Sequence, residues 1–174
     1  MTRYLFVRSP VIALLLASIL PVLRAADTAN TRTPFQDEFL EKLAGRWNLT
    51  RTIRGTTEEN KVEADWVLEH QFLRLHMKDP ASPPKYEADV YIGYDKTKSR
   101  YVAHWMDTFG GGFSLMGFGV RDGNSLPFIF EDAEGTVRNT FSYDPAAQTW
   151  TCLIVQKTKG GDWKTFAEDR LKRP

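Results

Sequence analysis

Past Gly45 the chain alternates apolar and polar residues in runs broken roughly every eight to twelve positions by turn-forming clusters. This period of two predicts ten strands, near residues 46–54, 61–68, 71–78, 86–94, 100–108, 113–120, 125–131, 136–143, 149–157 and 162–170. The breaks are "GTTEEN", "EH", "DPASPPK", "DKTKS", "FGGG", "RDGN", "DAEG", "DPAAQ" and "TKGG", all short. Short links make each strand pair antiparallel with the next. Ten such strands hide their edges most simply by closing into a single up-and-down barrel, which makes the fold class all-β. A two-sheet sandwich is the alternative, and the lack of a long crossover speaks against it. Before the strands, "TPFQDEFLEKLAG" predicts one short helix, with Thr33 as N-cap, Pro34 at the first helical position, Gln36 at the capping-box position and Gly45 past the end. Phe35, Phe39, Leu40 and Leu43 give it one apolar stripe.

Two hairpins repeat one design. "YDKTKSRY" sets Tyr94 and Tyr101 around Asp95, and "YDPAAQTW" sets Tyr143 and Trp150 around Asp144. An aspartate at the start of a turn accepts from the backbone two residues on and nucleates it. With the aromatic pairs directly opposed, Ile92 faces Ala103, Val90 faces Trp105 and Ala88 faces Asp107. In the second hairpin Phe141 faces Cys152 and Asn139 faces Ile154. Opposed residues share a face, and these faces are the more apolar, so they are expected to point inward. His104, opposite Tyr91 and beside Asp89, falls outside. A one-residue slip would invert every assignment.

Strand direction then sorts the two ends. One end collects Trp47, Tyr94, Tyr101, Tyr143, Trp150, the "LEHQF" turn and the helix, and is expected to be closed. The other carries "RGTTEEN", "DPASPPK", "FGGG" and "TKGG" and is the expected mouth, with Asp107 just below its lip.

Composition adds a compartment. The basic start "MTRYLFVR", the apolar run "VIALLLASIL" and "PVLRA" follow the order of a secretory signal peptide cleaved near Ala25. The run is short for a membrane span, although an uncleaved anchor is the competing reading. The expected organisation is thus a signal peptide at 1–25, a disordered linker at 26–33 and one barrel domain at 34–174, in an exported protein, periplasmic or extracellular. Without Arg3, Arg8 and Arg24 the basic residues fall from 23 to 20 against 22 acidic ones. That near-balance of scattered charges points away from a nucleic-acid partner, and no further apolar span predicts stable membrane insertion. The single Cys152 excludes an internal disulfide.

Candidate chemistry is sparse. His70 sits in a closed-end turn, His76 shares a strand face with Phe72 and Arg74, and His104 points out, so three converging metal ligands are not expected. "GFSLMG" around Ser114 lacks the helix that follows a nucleophile elbow. Cys152 reads as a buried structural thiol. Asp107 is the candidate general base of a barrel isomerase or hydrolase, or simply a strand-end aspartate bonding the "FGGG" turn. The inward polar residues Asp107, Asn139 and Gln156 favour a lined cavity over a solid core, because buried polar groups need partners.

A resemblance enters through "LAGRW" at 43–47, "W-x-L-x-x-x-F-L" at 66–73 and "GYD-x-x-x-x-x-Y-x-x-x-W-x-D" at 93–107. Together these resemble a bacterial, exported, lipocalin-like family of unknown function within the calycins, distantly similar to nitrobindin-like haem barrels and fatty-acid-binding proteins. The resemblance covers roughly residues 38–172 and implies that Trp47 packs across the closed end against a last-strand arginine, here Arg170. It also raises haem as a cofactor, for which His76 or His104 would have to turn inward. The nitrobindin-like pattern continues with glycine after the tryptophan, and this chain has "WNLT". The favoured function is non-covalent binding of a small, mostly apolar molecule without catalysis. Trp66, Val90, Ile92, Trp105, Phe128, Phe141 and Ile154 would form the walls, with Asp107 and Asn139 orienting the polar end. The alternatives are an enzyme using Asp107, a haem protein, and a solid-cored interaction module using Tyr91, His104 and Met106.

Overall fold

The computed structural model describes residues 33–131 and 135–174; the expected signal peptide, nearly all of the expected linker, and Asp132–Glu134 of the "DAEG" turn lie outside the described residues. Ten strands run β1 (Gly45–Ile53), β2 (Thr56–Val67), β3 (Phe72–Lys78), β4 (Glu87–Asp95), β5 (Arg100–Asp107), β6 (Leu115–Gly119), β7 (Ser125–Glu131), β8 (Thr136–Asp144), β9 (Thr149–Lys157) and β10 (Trp163–Lys172). Each pairs antiparallel with its neighbours, and β1 pairs with β10, so the sheet is a closed barrel without a free edge. The two hairpin registers are as the opposed aromatics require: Tyr94 faces Tyr101, Val90 faces Trp105, Tyr143 faces Trp150 and Asn139 faces Ile154. Asp95 accepts from the backbone N–H groups of Thr97 and Lys98, and Asp144 from those of Ala146 and Ala147. One turn chemistry therefore sets both ladders.

Three local expectations are corrected. The helix α1 spans Glu38–Glu41, and its N-cap is Asp37, whose carboxylate accepts from Phe39 and Leu40 N–H. Thr33–Gln36 is instead an extended strap. Phe35 N–H donates to the His70 carbonyl at 3.0 Å, and Gln71 Nε2 donates to the Thr33 carbonyl at 3.0 Å. Those bonds hold the strap on the 68–71 turn, where Phe35 stacks on Tyr94 and meets Trp66 edge-on. The "GTTEEN" break shrinks to Arg54 and Gly55, because β2 already starts at Thr56. Its first residues stand above the barrel rim with both faces wet, so they carry no apolar alternation.

The third correction concerns the closed end. Arg170 does not cover Trp47: it points outward and pairs with Glu168 at 2.9 Å. Beyond the buried Ala167, Asp169 and Leu171, the same parity brings Arg173, itself exposed, over Trp47 instead. Its guanidinium lies 3.7 Å from the centroid of the Trp47 ring and donates to the carbonyls of Ala44 and Arg46. Gly45, at φ +107°, opens β1 here; a Cβ on it would come within 2.6 Å of the Arg173 guanidinium. Trp150, fully buried, packs edge-on to Phe39 at 4.8 Å, and Tyr101 donates its hydroxyl to Asp37. Tyr143 packs on Trp150 and Tyr94 on Tyr101, so four of the five aromatics expected at this end meet in two pairs.

The interior has two storeys. The half near α1 is solid, with Leu73, Val90, Ile92, Leu126, Phe128 and Phe141 all at most 4% exposed. Gly119 permits the tightest approach in it, since a Cβ there would lie 1.9 Å from the Pro127 carbonyl oxygen. The half toward the loops is open.

Candidate functional site

The open half encloses a cavity of about 900 Å³. Inward residues of β1, β5, β7, β8 and β9 supply its depth: Arg51, Trp105, Phe130, Asn139 and Ile154 among them. The loops 79–86 and 108–114 supply its lip through Tyr86, Phe109 and Phe113. Phe109 and Phe113 remain 70% and 58% exposed although their rings meet at 6.0 Å, so the rim presents bare aromatic surface.

Of the nine expected wall residues, Trp105, Asp107, Asn139 and Ile154 line this cavity. Val90, Ile92, Phe128 and Phe141 share their inward face but lie in the packed storey. Trp66 is inward too, yet sits at the closed end, stacked on His70 at 4.0 Å. Alternation distinguishes inside from outside; it carries no information about depth along the barrel axis.

Asp107 is held from three sides. It accepts from Phe109 N–H at 3.0 Å, from Trp105 Nε1 at 3.3 Å and from the Tyr86 hydroxyl at 3.5 Å. The first of these bonds shapes the turn at the lip, and the other two orient rings that line the cavity. Burial pushes the Tyr86 hydroxyl above its usual pKa; the nearby Arg51 charge opposes that shift and the Asp107 charge adds to it.

Deeper in, Arg51 Nε and Nη2 donate to the two carboxylate oxygens of Asp169, each at 2.7 Å. Both side chains are buried, at 10% and 3% exposure. Burial disfavours the guanidinium charge, but the fork of bonds and the opposite charge of Asp169 outweigh it and raise the Arg51 pKa. Cys152 faces Asp169 on the neighbouring strand, and burial first, then that carboxylate, push its thiol well above the usual range. A buried, protonated thiol is a poor nucleophile. Two inward amide oxygens, Oδ1 of Asn60 and of Asn139, have no protein partner although these residues are only 4% and 3% exposed.

The pair Arg51–Asp169 escaped the sequence reading, though a signal was present. Trp47, Leu49, Asp169 and Leu171 keep the inward parity of their strands, and Arg51 occupies the next inward position after Leu49. A charge on an otherwise apolar parity is the mark of a buried pair.

None of the three histidines reaches the cavity. His76 lies on the outside between Asp89 at 3.0 Å and Glu87 at 3.1 Å. His104, also outside, lies 2.8 Å from Ser114 Oγ. It shares a shallow outer groove with Tyr91, Met106, Met116 and Phe118. His70 Nδ1 lies 2.8 Å from the Phe35 carbonyl oxygen.

Alkaline conditions test this electrostatic picture. Tyr86, Tyr101 and Cys152 all hold their protons more tightly in the fold than their usual values allow, burial being the first cause each time. A raised folded pKa contributes stability that is complete below the unfolded value and is lost as pH climbs toward the folded one. The unfolded values are about 8.5 for cysteine and about 10 for tyrosine. Urea midpoints should therefore hold near neutrality and decline above roughly pH 9. Tyr86→Phe should soften the decline, and a midpoint unchanged to pH 11 would contradict the assignment.

A closed ten-stranded antiparallel barrel, solid at one end and hollow at the other, is the class that the fold and cavity define. The chain belongs to the family described as "Protein of unknown function (DUF1579)", which matches residues 35–173. No curated protein matches the sequence. Among solved structures it is similar to the crystal structure of Rv2717c from M. tuberculosis, at 10% identity and a TM-score of 0.53, over 80% of this chain and 99% of that one. At that identity the likeness bears on the fold alone.

Proposed function

We propose that this is an exported, lipocalin-like protein that holds a small, mostly apolar molecule in the open storey of its barrel without transforming it. The carrying observation is the cavity itself: about 900 Å³ walled by Tyr86, Trp105, Phe109, Phe113, Phe130 and Ile154, with a few polar groups placed among them. Ligand sites combine such apolar walls with a small number of polar anchors, and this volume suits a ligand of drug size. Lipocalin-like character is supported by the Gly-x-Trp opening, whose Trp47 packs at the closed end under Arg173. Export is supported by the order of basic, apolar and small residues in positions 1–25.

The enzyme reading has less support, because all the bonds of Asp107 serve the lip and its rings, and the Cys152 thiol is buried and protonated. The residues present do not fit a histidine-ligated haem, which needs an inward axial histidine. A partner surface in the outer groove has no observation that favours it over the cavity.

Native mass spectrometry of the protein recovered from its own exported fraction tests the proposal. A non-covalent adduct of a few hundred daltons that leaves on denaturation is expected. A bare chain that also fails to take up any hydrophobic probe would overturn it. Asp107→Asn should weaken retention by about tenfold or less, as for one lost charge-assisted bond; abolished turnover of a captured molecule would instead establish catalysis.

A further inference from the structure

We infer that the ligand's polar end is a hydrogen-bond donor carrying positive charge, an ammonium group on an apolar body, and that the cavity selects against carboxylates. This deepens the binding role proposed above and rests on it.

Four observations converge. First, Arg51, the guanidinium buried in the barrel interior, is already engaged: two of its nitrogens bond both oxygens of Asp169 at 2.7 Å. A carboxylate entering here would meet a neutralised cation and the negative charge of Asp169 beside it. Second, the described lining residues carry Glu58, Glu59, Asp79 and Asp107 against Arg54 and Lys85, once Arg51 is set against its partner. A cleft with low-dielectric walls concentrates such an excess of negative field and draws in cations.

Third, the unmatched polar atom beside the cavity is an acceptor, covered from water as the side chain now lies. Asn139 lines it, is 3% exposed, and its Oδ1 has no partner in the protein. A buried carbonyl oxygen is satisfied by an N–H or O–H, which an amine supplies and an ionised carboxylate does not. Fourth, the mouth is built of Tyr86, Phe109 and Phe113 with Trp105 below them, and aromatic ring faces attract an ammonium and repel an anion. Asp107 stands among these rings as the counter-charge.

The test compares three probes of one chain length, decylamine, decanol and decanoate, titrated calorimetrically into the purified protein at pH 7. Decylamine should bind at least about tenfold more tightly than decanoate, with decanol between them. Asp107→Asn should erase most of the amine's advantage over the alcohol, and Asn139→Leu should weaken amine and alcohol alike while leaving decanoate unaffected. Should either variant fail to fold by near-ultraviolet circular dichroism, the ranking on the unaltered protein decides. Decanoate binding as tightly as decylamine, or more tightly, overturns the donor assignment and leaves the cavity-binding role standing. If none of the three binds at millimolar concentration, that role falls, and this inference with it.

Discussion

Asp169→Ala is expected to lower the melting temperature by roughly 10 to 15 °C, the largest effect of any single substitution in the open storey. Its carboxylate is 3% exposed and takes both donated bonds of Arg51, so its removal strands a guanidinium in the barrel interior. Breaking a buried pair from one side costs about 3–5 kcal/mol, because the remaining charge has lost its compensation. The double variant Arg51→Met with Asp169→Leu should recover most of the loss, since apolar side chains of similar volume need no compensation. Thermal unfolding of the two single variants and the double variant completes the cycle. A double variant as unstable as the worse single one would mean that the pair organises the strands beyond its own charges. The same substitution reports on ligand choice: with Arg51 freed, the preference for decylamine over decanoate should narrow or reverse.

Trp150→Ala is expected to cost about 3–5 kcal/mol, as buried aromatic deletions do. Trp150 is fully buried, sits edge-on to Phe39, touches Tyr143 and donates its indole N–H to the Lys42 carbonyl. It therefore fastens α1 across the closed end, and its loss leaves a cavity next to an unanchored helix. Ligand affinity measured well below the melting transition should change little, because the cavity lies in the other storey and none of its described lining residues is shared with this cluster. An equal loss of affinity and stability would show that the two storeys are mechanically coupled.

These two sites differ in how visible they were in the chain. Trp150 belongs to a hairpin whose length, aspartate and flanking aromatics all stand within eight consecutive residues, "YDPAAQTW". Its register, its inward face and its place at the closed end were therefore readable from local chemistry. The same holds for Tyr94 and Tyr101 and for Trp105 and Asp107 on the strand that follows. Asp169 was not readable in this way. Its partner lies 118 positions earlier, and the two strands meet only because the last one closes on the first. The Arg170 expectation failed for a related reason: which arginine covers Trp47 depends on the parity of β10 and on how far it runs past the helix. The parity and length of β10 place Arg173 there. The helix start shifted from Thr33 to Asp37 because the strap was captured by the distant 68–71 turn, a contact that capping preferences cannot foresee.

The amino-acid sequence by itself determined the class of fold, the number and order of the strands, the hairpin registers and the sorting of inward from outward residues. All of these follow from a period of two and from turn chemistry, which act over a few neighbouring residues. The tertiary structure alone decided which inward residues are packed and which line a cavity. It also joined Arg51 to Asp169, Arg173 to Trp47 and the Phe35 strap to the His70 turn. Those outcomes depend on barrel closure and on depth along its axis, and depth arises only when strands far apart in the chain take their stagger against one another.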